Sequence, residues 1–226
     1  MPRFNAFFMI HKGLRAMMYD ASMSLQHTDF AHATEYPHSL QNLEHLVAIF
    51  DAHAGHEDGH LFPLLQACNP ALQDEMEKEH VKDIALSNEL RSLTASFRSA
   101  TNAEAKRELG NKICYTFYAY IAFNLEHMNK EEQVVNESLW SHYSDMEIIQ
   151  ANMRMVAGLS PDEVRRNAVW MMRGCSNADL IGWLNSIKKQ VPAPVIDLLL
   201  GIAESELSAH RFEAVRNAVV EPVQMS

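Results

Sequence analysis

The stretch His53-Ala-Gly-His-Glu57 decides how the fold of this 226-residue sequence is interpreted, together with its counterpart His127-Met-Asn-Lys-Glu131. In both stretches a glutamate follows a histidine by four positions. Four residues of an α-helix bring the second side chain to within about 40° of the first, one turn along the same face. Each of two helices can then present one imidazole and one carboxylate to a shared interior, which is how a helix bundle holds metal ions.

Apolar residues at helical spacing extend this interpretation through the N-terminal part of the chain. Asn69-Pro70 supplies a helix N-cap followed by proline at the first helical position, and Thr101-x-x-Glu104 has the form of a capping box. Short connections between long amphipathic helices are typical of an antiparallel four-helix bundle. The predicted helices cover approximately residues 5–26, 38–65, 70–97 and 101–137.

Helix signatures continue beyond this bundle. Ser144, Ser160 and Ser176 are each followed three positions later by an acidic residue, as at the N-terminus of a helix. Gly158 and Gly174 lie where C-caps are expected. The sequence therefore predicts an all-α protein in which three or four shorter helices follow the bundle.

Histidine is concentrated in one part of the chain, since eleven of the twelve histidines lie within residues 1–143. We predict a metal-binding four-helix bundle over residues 1–143 and a C-terminal helical extension over residues 144–226. The extension carries apolar residues that we expect to pack on the bundle or at a subunit interface, where a homo-oligomer would form. These residues are Trp170, Trp183, Leu198, Leu199 and Leu200.

Composition argues against several classes of protein. A formal net charge of −10 disfavours a nucleic-acid-binding protein, which needs a basic face for phosphate contacts. No stretch approaches the roughly 20 apolar residues of a membrane helix, and the N-terminal apolar run lacks a small-residue cleavage site. Cys68, Cys114 and Cys175 are far apart and form no CxxC pair, which suits a reducing compartment. We therefore expect a soluble cytoplasmic protein.

Four histidines on the apolar faces, His11, His53, His80 and His127, can be compared by height along the bundle at about 1.5 Å per residue. The first three agree within about one turn when the predicted helices pack antiparallel. The fourth, with its glutamate, lies about nine residues too far, or about 13 Å. The third connection is therefore either longer than drawn, with the fourth helix starting nearer Gly110, or that helix is kinked.

The order His…His-x-x-x-Glu…His…His-x-x-x-Glu resembles the haemerythrin-like (HHE) cation-binding family. The segment Glu57-Asp-Gly-His-Leu-Phe-Pro63 and the opening His11-Lys-Gly-Leu-Arg15 are also similar to that family, over about residues 5–140. The resemblance implies a haemerythrin-like four-helix bundle around two iron ions, completed by a solvent-derived oxo or hydroxo bridge. It further implies that Glu57 and Glu131 bridge the irons and that the terminal ligands are His11, His53, His80 and His127.

The residue types agree with this implication independently, because imidazole and carboxylate suit iron, manganese or zinc, whereas thiolate-preferring sites use cysteine. Zinc or manganese is therefore expected to be able to replace iron in a recombinant preparation. The sequence departs from oxygen-carrying haemerythrins, which have a fifth histidine four residues from the one on the third helix. Around His80 those positions are Met76 and Ile84. The pattern is similar to the four-histidine, two-glutamate bacterial type, and simple reversible oxygen carriage is disfavoured.

Several residues near the predicted ligands are alternative ligands or could line the site. His60 lies seven residues after His53, nearly on the same face, and is an alternative ligand. Tyr120 and Phe123 share the face of His127, where core packing is favoured over a pocket wall or a tyrosine hydroxyl that donates a hydrogen bond to a metal ligand. The remaining histidines of the bundle have no matched partner and are expected at the surface, with His56 flanking the ligand face. They are His27, His32, His38, His45 and His142.

Three functions remain open on this basis. The first is a non-haem di-iron protein that binds or senses a small diatomic ligand, O2 or NO, or handles iron. The second is a di-iron oxidase, peroxidase or NO-processing enzyme, which no additional acid–base or nucleophile constellation supports. The third is a helical interaction protein whose site holds zinc or no metal.

Overall fold

The computed structural model describes residues 3–220. Residues 1–2, at the start of the first predicted domain, and residues 221–226, at the end of the second, lie outside the described residues. All regular elements in this part of the chain are helical, in agreement with the predicted all-α bundle class. No described helix combines the length and the apolar composition needed to span a membrane. The helices of the N-terminal part are α1 (Phe8–His27), α2 (Tyr36–His60), α3 (Phe62–Cys68), α4 (Pro70–Ser99), α5 (Ala103–Lys130), a π-helical turn (Glu131–Val135) and α6 (Asn136–His142).

Five further helices follow in the described residues, so the prediction of three or four was too low. They are α7 (Asp145–Gly158), α8 (Pro161–Gly174), α9 (Asn177–Ile187), α10 (Ala193–Glu206) and α11 (Ala209–Val220). Three of these helices begin with the reciprocal hydrogen bonds of a capping box, at the serines that the sequence indicated. Ser144 and Glu147 form them at α7, Ser160 and Glu163 at α8, and Ser176 and Asp179 at α9.

The second predicted helix is divided by a short break. It ends at His60 and resumes at Phe62, with Leu61 between the two pieces. Pro63, which has no backbone N–H, cannot donate the hydrogen bond that would continue the first piece. The break therefore arises from a residue that the predicted continuous helix over residues 38–65 had included.

The N-cap predicted for α4 is confirmed, whereas the N-cap predicted for α5 is not. The Asn69 side chain accepts a hydrogen bond from the Leu72 N–H at 3.2 Å, as the N-cap prediction requires. The predicted box beginning at Thr101 is wrong, because Asn102 is the N-cap and accepts from the Ala105 N–H at 2.8 Å. Asparagine is the stronger N-cap residue of the two.

The fourth helix does not start near Gly110, since α5 begins at Ala103. It continues as α-helix through Lys130 and widens into the π-helical turn only beyond that residue. The apparent excess of nine residues is therefore not explained by a longer connection. Side chains lean towards the N-terminus of their own helix, and in antiparallel neighbours this lean brings a residue early in α4 towards one late in α5.

The described part of the chain divides into two compact units, of which the first comprises residues 3–7 and 17–158. One of its apolar clusters joins Phe7, Phe62 and Leu65 to Ile148 and Ala151 of α7. Because α7 buries its apolar face in this cluster, the first unit extends to Gly158, beyond the residue 143 used in the sequence-based division.

The second unit comprises, among the described residues, 8–16 and 159–220. Its apolar cluster includes Leu199, with Trp183 and Leu200 packed against it, whereas Leu198 is 51% exposed and does not take part in the expected apolar seam. Backbones approach closely at Gly174, where an added Cβ would lie 2.2 Å from the Lys12 carbonyl oxygen. Glycine is required there because no side chain fits the contact.

Gly110 provides a test of packing within the first unit. A Cβ added at this position would lie 2.1 Å from Cγ of Phe30, whose ring is buried against Phe97. We expect Gly110→Ala to lower the free energy of unfolding by about 1–3 kcal/mol, the usual range for overpacking. Chemical denaturation of the metal-free protein measures the change. The control is Gly55→Ala, also within a helix, where no atom lies within 4 Å and the substitution should be neutral or stabilising; equal destabilisation in both variants would contradict the packing.

Candidate metal centre

Four buried side chains of the first unit converge in its interior. They are Glu57 on α2, His80 on α4, His127 on α5 and Glu131 at the start of the π-helical turn. One potential ligand atom from each lies within 4.8 Å of all the others. Exposed fractions of 0–6% place this group in a low-dielectric environment.

Individual distances show how the ligand atoms face one another. Nε2 of His127 lies 3.3 Å from Oε1 of Glu131 and 3.2 Å from Nε2 of His80. Nε2 of His80 lies 3.7 Å from Oε2 of Glu57, and Nε2 of His53 lies 3.1 Å from Oε1 of the same glutamate. The two His-x-x-x-Glu pairs thus form intrahelical contacts, as their spacing predicted.

The structure therefore brings together five of the six predicted ligands, His53, Glu57, His80, His127 and Glu131, within the first unit. The remaining predicted ligand, His11, is fully buried on α1 in the segment of residues 8–16. Its ligation stays a prediction from the family resemblance. His60, the alternative ligand, is the last residue of α2, is partly exposed and does not join the convergent group of described residues.

Two acidic residues that the sequence analysis missed orient the imidazoles. Nδ1 of His80 lies 2.8 Å from Oδ1 of Asp58, and Nδ1 of His127 lies 2.8 Å from Oε2 of Glu79. A carboxylate on Nδ1 fixes the N–H at that atom and directs the Nε2 lone pair inwards, as in metal-bound histidines. Asp58 and Glu79 directly adjoin ligands in sequence, but only the packing of neighbouring helices reveals which imidazole each one contacts.

The carboxylates also control the charge of the imidazoles. Burial alone would lower the pKa of His127, but Glu131, Glu79 and Glu57 outweigh burial and raise the pKa to about 10. Burial opposes protonation of His80 as well, and its net pKa is raised by the hydrogen bond to Asp58 and the charge of Glu57. In the metal-free protein the charged His127 ring supplies positive charge beside the buried glutamates.

The π-helical turn begins at the candidate ligand Glu131, whose own N–H is shared between the carbonyls of His127 and Met128. Such turns occur frequently at functional sites. Glu131 and Val135 are both fully buried, although the regular hydrogen-bond pattern is interrupted between them. The turn therefore begins at a candidate ligand and ends at a core residue, both of them buried.

Aromatic rings cover the outer sides of both central histidines. Phe62 stacks on His80 with ring centroids 5.1 Å apart, and Phe123 stacks on His127 at 5.9 Å. Phe123 is only partly buried and lines a cleft of about 470 Å³ beside His127, so the expectation of plain core packing fails for this residue. Tyr120 is completely buried, as core packing predicted.

The histidines expected at the surface are exposed, and His56 is partly exposed beside the ligand face. Ile84, one turn after His80, is 47% exposed and contributes nothing to the buried cluster. Met76, one turn before His80, is fully buried but is not a hard-metal ligand. All three cysteines are free thiols, as expected for a chain without a disulfide framework.

Comparison with known proteins gives one match. The family model described as Hemerythrin HHE cation binding domain matches residues 4–139, more than half of the chain. Neither the curated proteins nor the solved structures include one that matches this chain.

Glu79 provides a direct test of the charge balance at His127. We expect Glu79→Gln to lower the pKa of His127 from about 10, because the variant removes a carboxylate that stabilises the charged ring. NMR titration of the imidazole Cε1–H in metal-free protein measures the shift. Glu126→Gln is the control, since Glu126 lines the same cleft without bonding His127; an unchanged pKa in Glu79→Gln would contradict the assignment.

The same pKa predicts how stability depends on pH. A folded-state pKa of about 10 lies above the ordinary histidine pKa of 6.5, so the charged His127 stabilises the metal-free fold fully below pH 6.5. This stabilisation should be lost as the pH rises through about 10. Denaturation of wild type and His127→Gln across this range measures the difference, and a wild-type advantage that grows with rising pH would contradict the predicted sign.

Proposed function

Because this chain belongs to the hemerythrin HHE cation-binding family, we propose that it is a non-haem di-iron protein that binds or senses O2 or NO, or handles iron. The family and the buried His/Glu cluster fit a metal-binding protein. The single observation that carries the proposal is the convergence of two carboxylates and two imidazoles, all buried, from three helices and the π-helical turn.

The donor set fits the proposed metal. Imidazole nitrogens and carboxylate oxygens are suitable ligands for iron, manganese and zinc, and no thiolate belongs to this group of described residues. Two negatively charged glutamates without a cation would be costly to bury, on the order of several kcal/mol per ion. Two divalent ions would satisfy both carboxylates and replace the protons that the imidazoles hold in the metal-free protein.

Each residue has a distinct role in this proposal. Glu57 and Glu131 would hold both irons through their carboxylates, as the resemblance implies, and the imidazoles of His11, His53, His80 and His127 would supply the remaining protein ligands. Asp58 and Glu79 hold the imidazoles at Nδ1 so that Nε2 faces the metals. The rings of Phe62 and Phe123 limit access of water to the two central histidines.

The assignment to O2 or NO rests on the type of metal centre. Iron held by four imidazoles and two carboxylates would supply redox-active coordination positions for a small diatomic molecule. The partly exposed cleft that Phe123 lines beside His127 provides a place of approach. The cytoplasmic location predicted from the sequence and self-association through the C-terminal helices stay part of this proposal.

Iron content tests the metal assignment. We expect wild-type protein reconstituted with iron to bind two irons per chain and to show oxo-bridged charge-transfer absorption. Glu131→Ala should bind substantially less iron because it removes a bridging carboxylate, whereas His45→Ala, at an exposed position, should bind as much as wild type. Elemental analysis with visible spectroscopy measures both. Equal iron content in the two variants, or zinc as the sole metal taken up from a mixture, would contradict the proposal.

Mixing the reduced, iron-loaded protein with O2, NO and peroxide separates binding from turnover. A stable spectroscopic adduct without product formation is the expected result for a binding or sensing protein. Repeated consumption of the oxidant over many cycles would instead identify the oxidase, peroxidase or NO-processing enzyme that the sequence leaves open.

A further inference from the structure

A second group of buried polar side chains lies beside the candidate metal centre. It consists of Asp51 on α2, Asp83 and Ser87 on α4, and Tyr120 and Asn124 on α5, and we call it the inner polar cluster. Four of the five are at most 3% exposed, and Asp51 is partly buried. Only for Tyr120 did the sequence leave a hydrogen-bond donor role open, and the proposed ligand set uses none of the five residues.

Polar atoms in this cluster lack protein partners. Among the described residues, the hydroxyls of Ser87 and Tyr120 and the Oδ1 atom of Asp51 are buried without a hydrogen bond. Buried polar atoms are almost always satisfied by protein or by ordered water. Ser87 is close enough to the Tyr120 phenol to lower its pKa as a side-chain hydrogen-bonding neighbour, although the two oxygens do not meet the distance and angle of a direct hydrogen bond. Water molecules that bridge these oxygens would satisfy both.

The surroundings of Tyr120 confine such water to the hydroxyl end of the ring. Phe50 and Phe117 pack against the ring with centroid distances of 5.7 and 6.1 Å. Burial and the nearby charge of Asp83 raise the pKa of Tyr120, which keeps the phenol protonated and able to donate. Water inside this region therefore has polar neighbours on the side of Ser87 and Asp83, and apolar walls elsewhere.

The cluster connects the surface to the candidate metal centre. At its outer end Asp51 forms an ion pair with Arg91, whose side chain is 42% exposed. At its inner end Asp83 lies one turn after His80 and accepts a hydrogen bond of 2.7 Å from Asn124, one turn before His127. Burial raises the pKa of Asp83, so this carboxyl can hold a proton more readily than an exposed one.

We propose that the inner polar cluster encloses ordered water and forms a path along which protons pass between the Arg91–Asp51 ion pair and the metal centre. In each step one water or side chain accepts a proton from one neighbour and releases one to the next, so charge moves without any change in electron count. The inner end of the path rests on the proposed metal function, whereas hydration of the cluster does not depend on it.

The exchange rate of the Tyr120 hydroxyl proton tests hydration in metal-free protein. With tyrosine labelled at 13Cζ in mixed H2O and D2O, we expect the wild-type hydroxyl to exchange rapidly, because water connects it to the surface. Ser87→Val, which replaces the hydroxyl by a methyl group and adds a second methyl group, should slow this exchange by about an order of magnitude. Slow exchange in the wild type would overturn the proposal.

Thr94→Val is the matched control, because Thr94 is also a buried hydroxyl on α4 but donates to the Leu90 carbonyl of its own helix. It should leave the exchange rate of Tyr120 unchanged. Asp51→Leu, at the partly exposed outer end, repeats the test should Ser87→Val fail to fold. Exchange as fast in both path variants as in wild type would likewise overturn the proposal.

The inner end is tested with manganese(II) as the probe. Proton relaxation of bulk water by the manganese-loaded protein should decrease in Tyr120→Phe, which keeps the ring but breaks the path, and should stay at the wild-type value in Thr94→Val. An unchanged relaxation in Tyr120→Phe would overturn the connection to the metal. A wild-type protein that binds neither iron nor manganese would instead overturn the proposed function, and the exchange measurement would still decide hydration.

Discussion

Two buried carboxylates impose the central constraint on this protein. Glu57 and Glu131 are 2% and 0% exposed and lie in the same interior, where like charges repel strongly and water does not screen them. A folded state that keeps both ionised needs positive charge at the same place. In the metal-free protein the pKa values of His80 and His127 are raised, which favours positively charged imidazoles at this place. In the proposed metal-bound state two metal ions would supply the positive charge. The surrounding helices position the glutamates beside the histidines, and aromatic rings pack against the two central imidazoles.

Much of the candidate site could be predicted from helical periodicity in the sequence. The i, i+4 spacing of His53 with Glu57 and of His127 with Glu131 predicts contacts that the structure contains. His80 has no such local partner, and the position of α4 between α2 and α5 brings it to the cluster. The predicted height of His80 relative to α5 was the least accurate part of the bundle. Counting residues at 1.5 Å ignores the lean of side chains along their helices.

Other features depend on tertiary contacts that no sequence interval encodes. Asp58 and Glu79 look like ordinary exposed acids in the sequence, and their pairing with histidines requires knowledge of which helix faces which. The break at Leu61 and the π-helical turn at Glu131 fall inside patterns that read as continuous helix. The inner polar cluster was missed because its five members come from three helices and have no common spacing. Hydrogen-bond accounting in three dimensions reveals it, since a buried hydroxyl without a partner has no signature in sequence.

An iron-edge anomalous-scattering crystal structure of the iron-loaded protein tests the central claim most directly. The account predicts two iron peaks bounded by Glu57 and Glu131, with His80 and His127 coordinating through Nε2. Asp58 and Glu79 should remain on the Nδ1 atoms. A single peak, peaks elsewhere in the chain, or glutamates that point away from the metal would contradict the account.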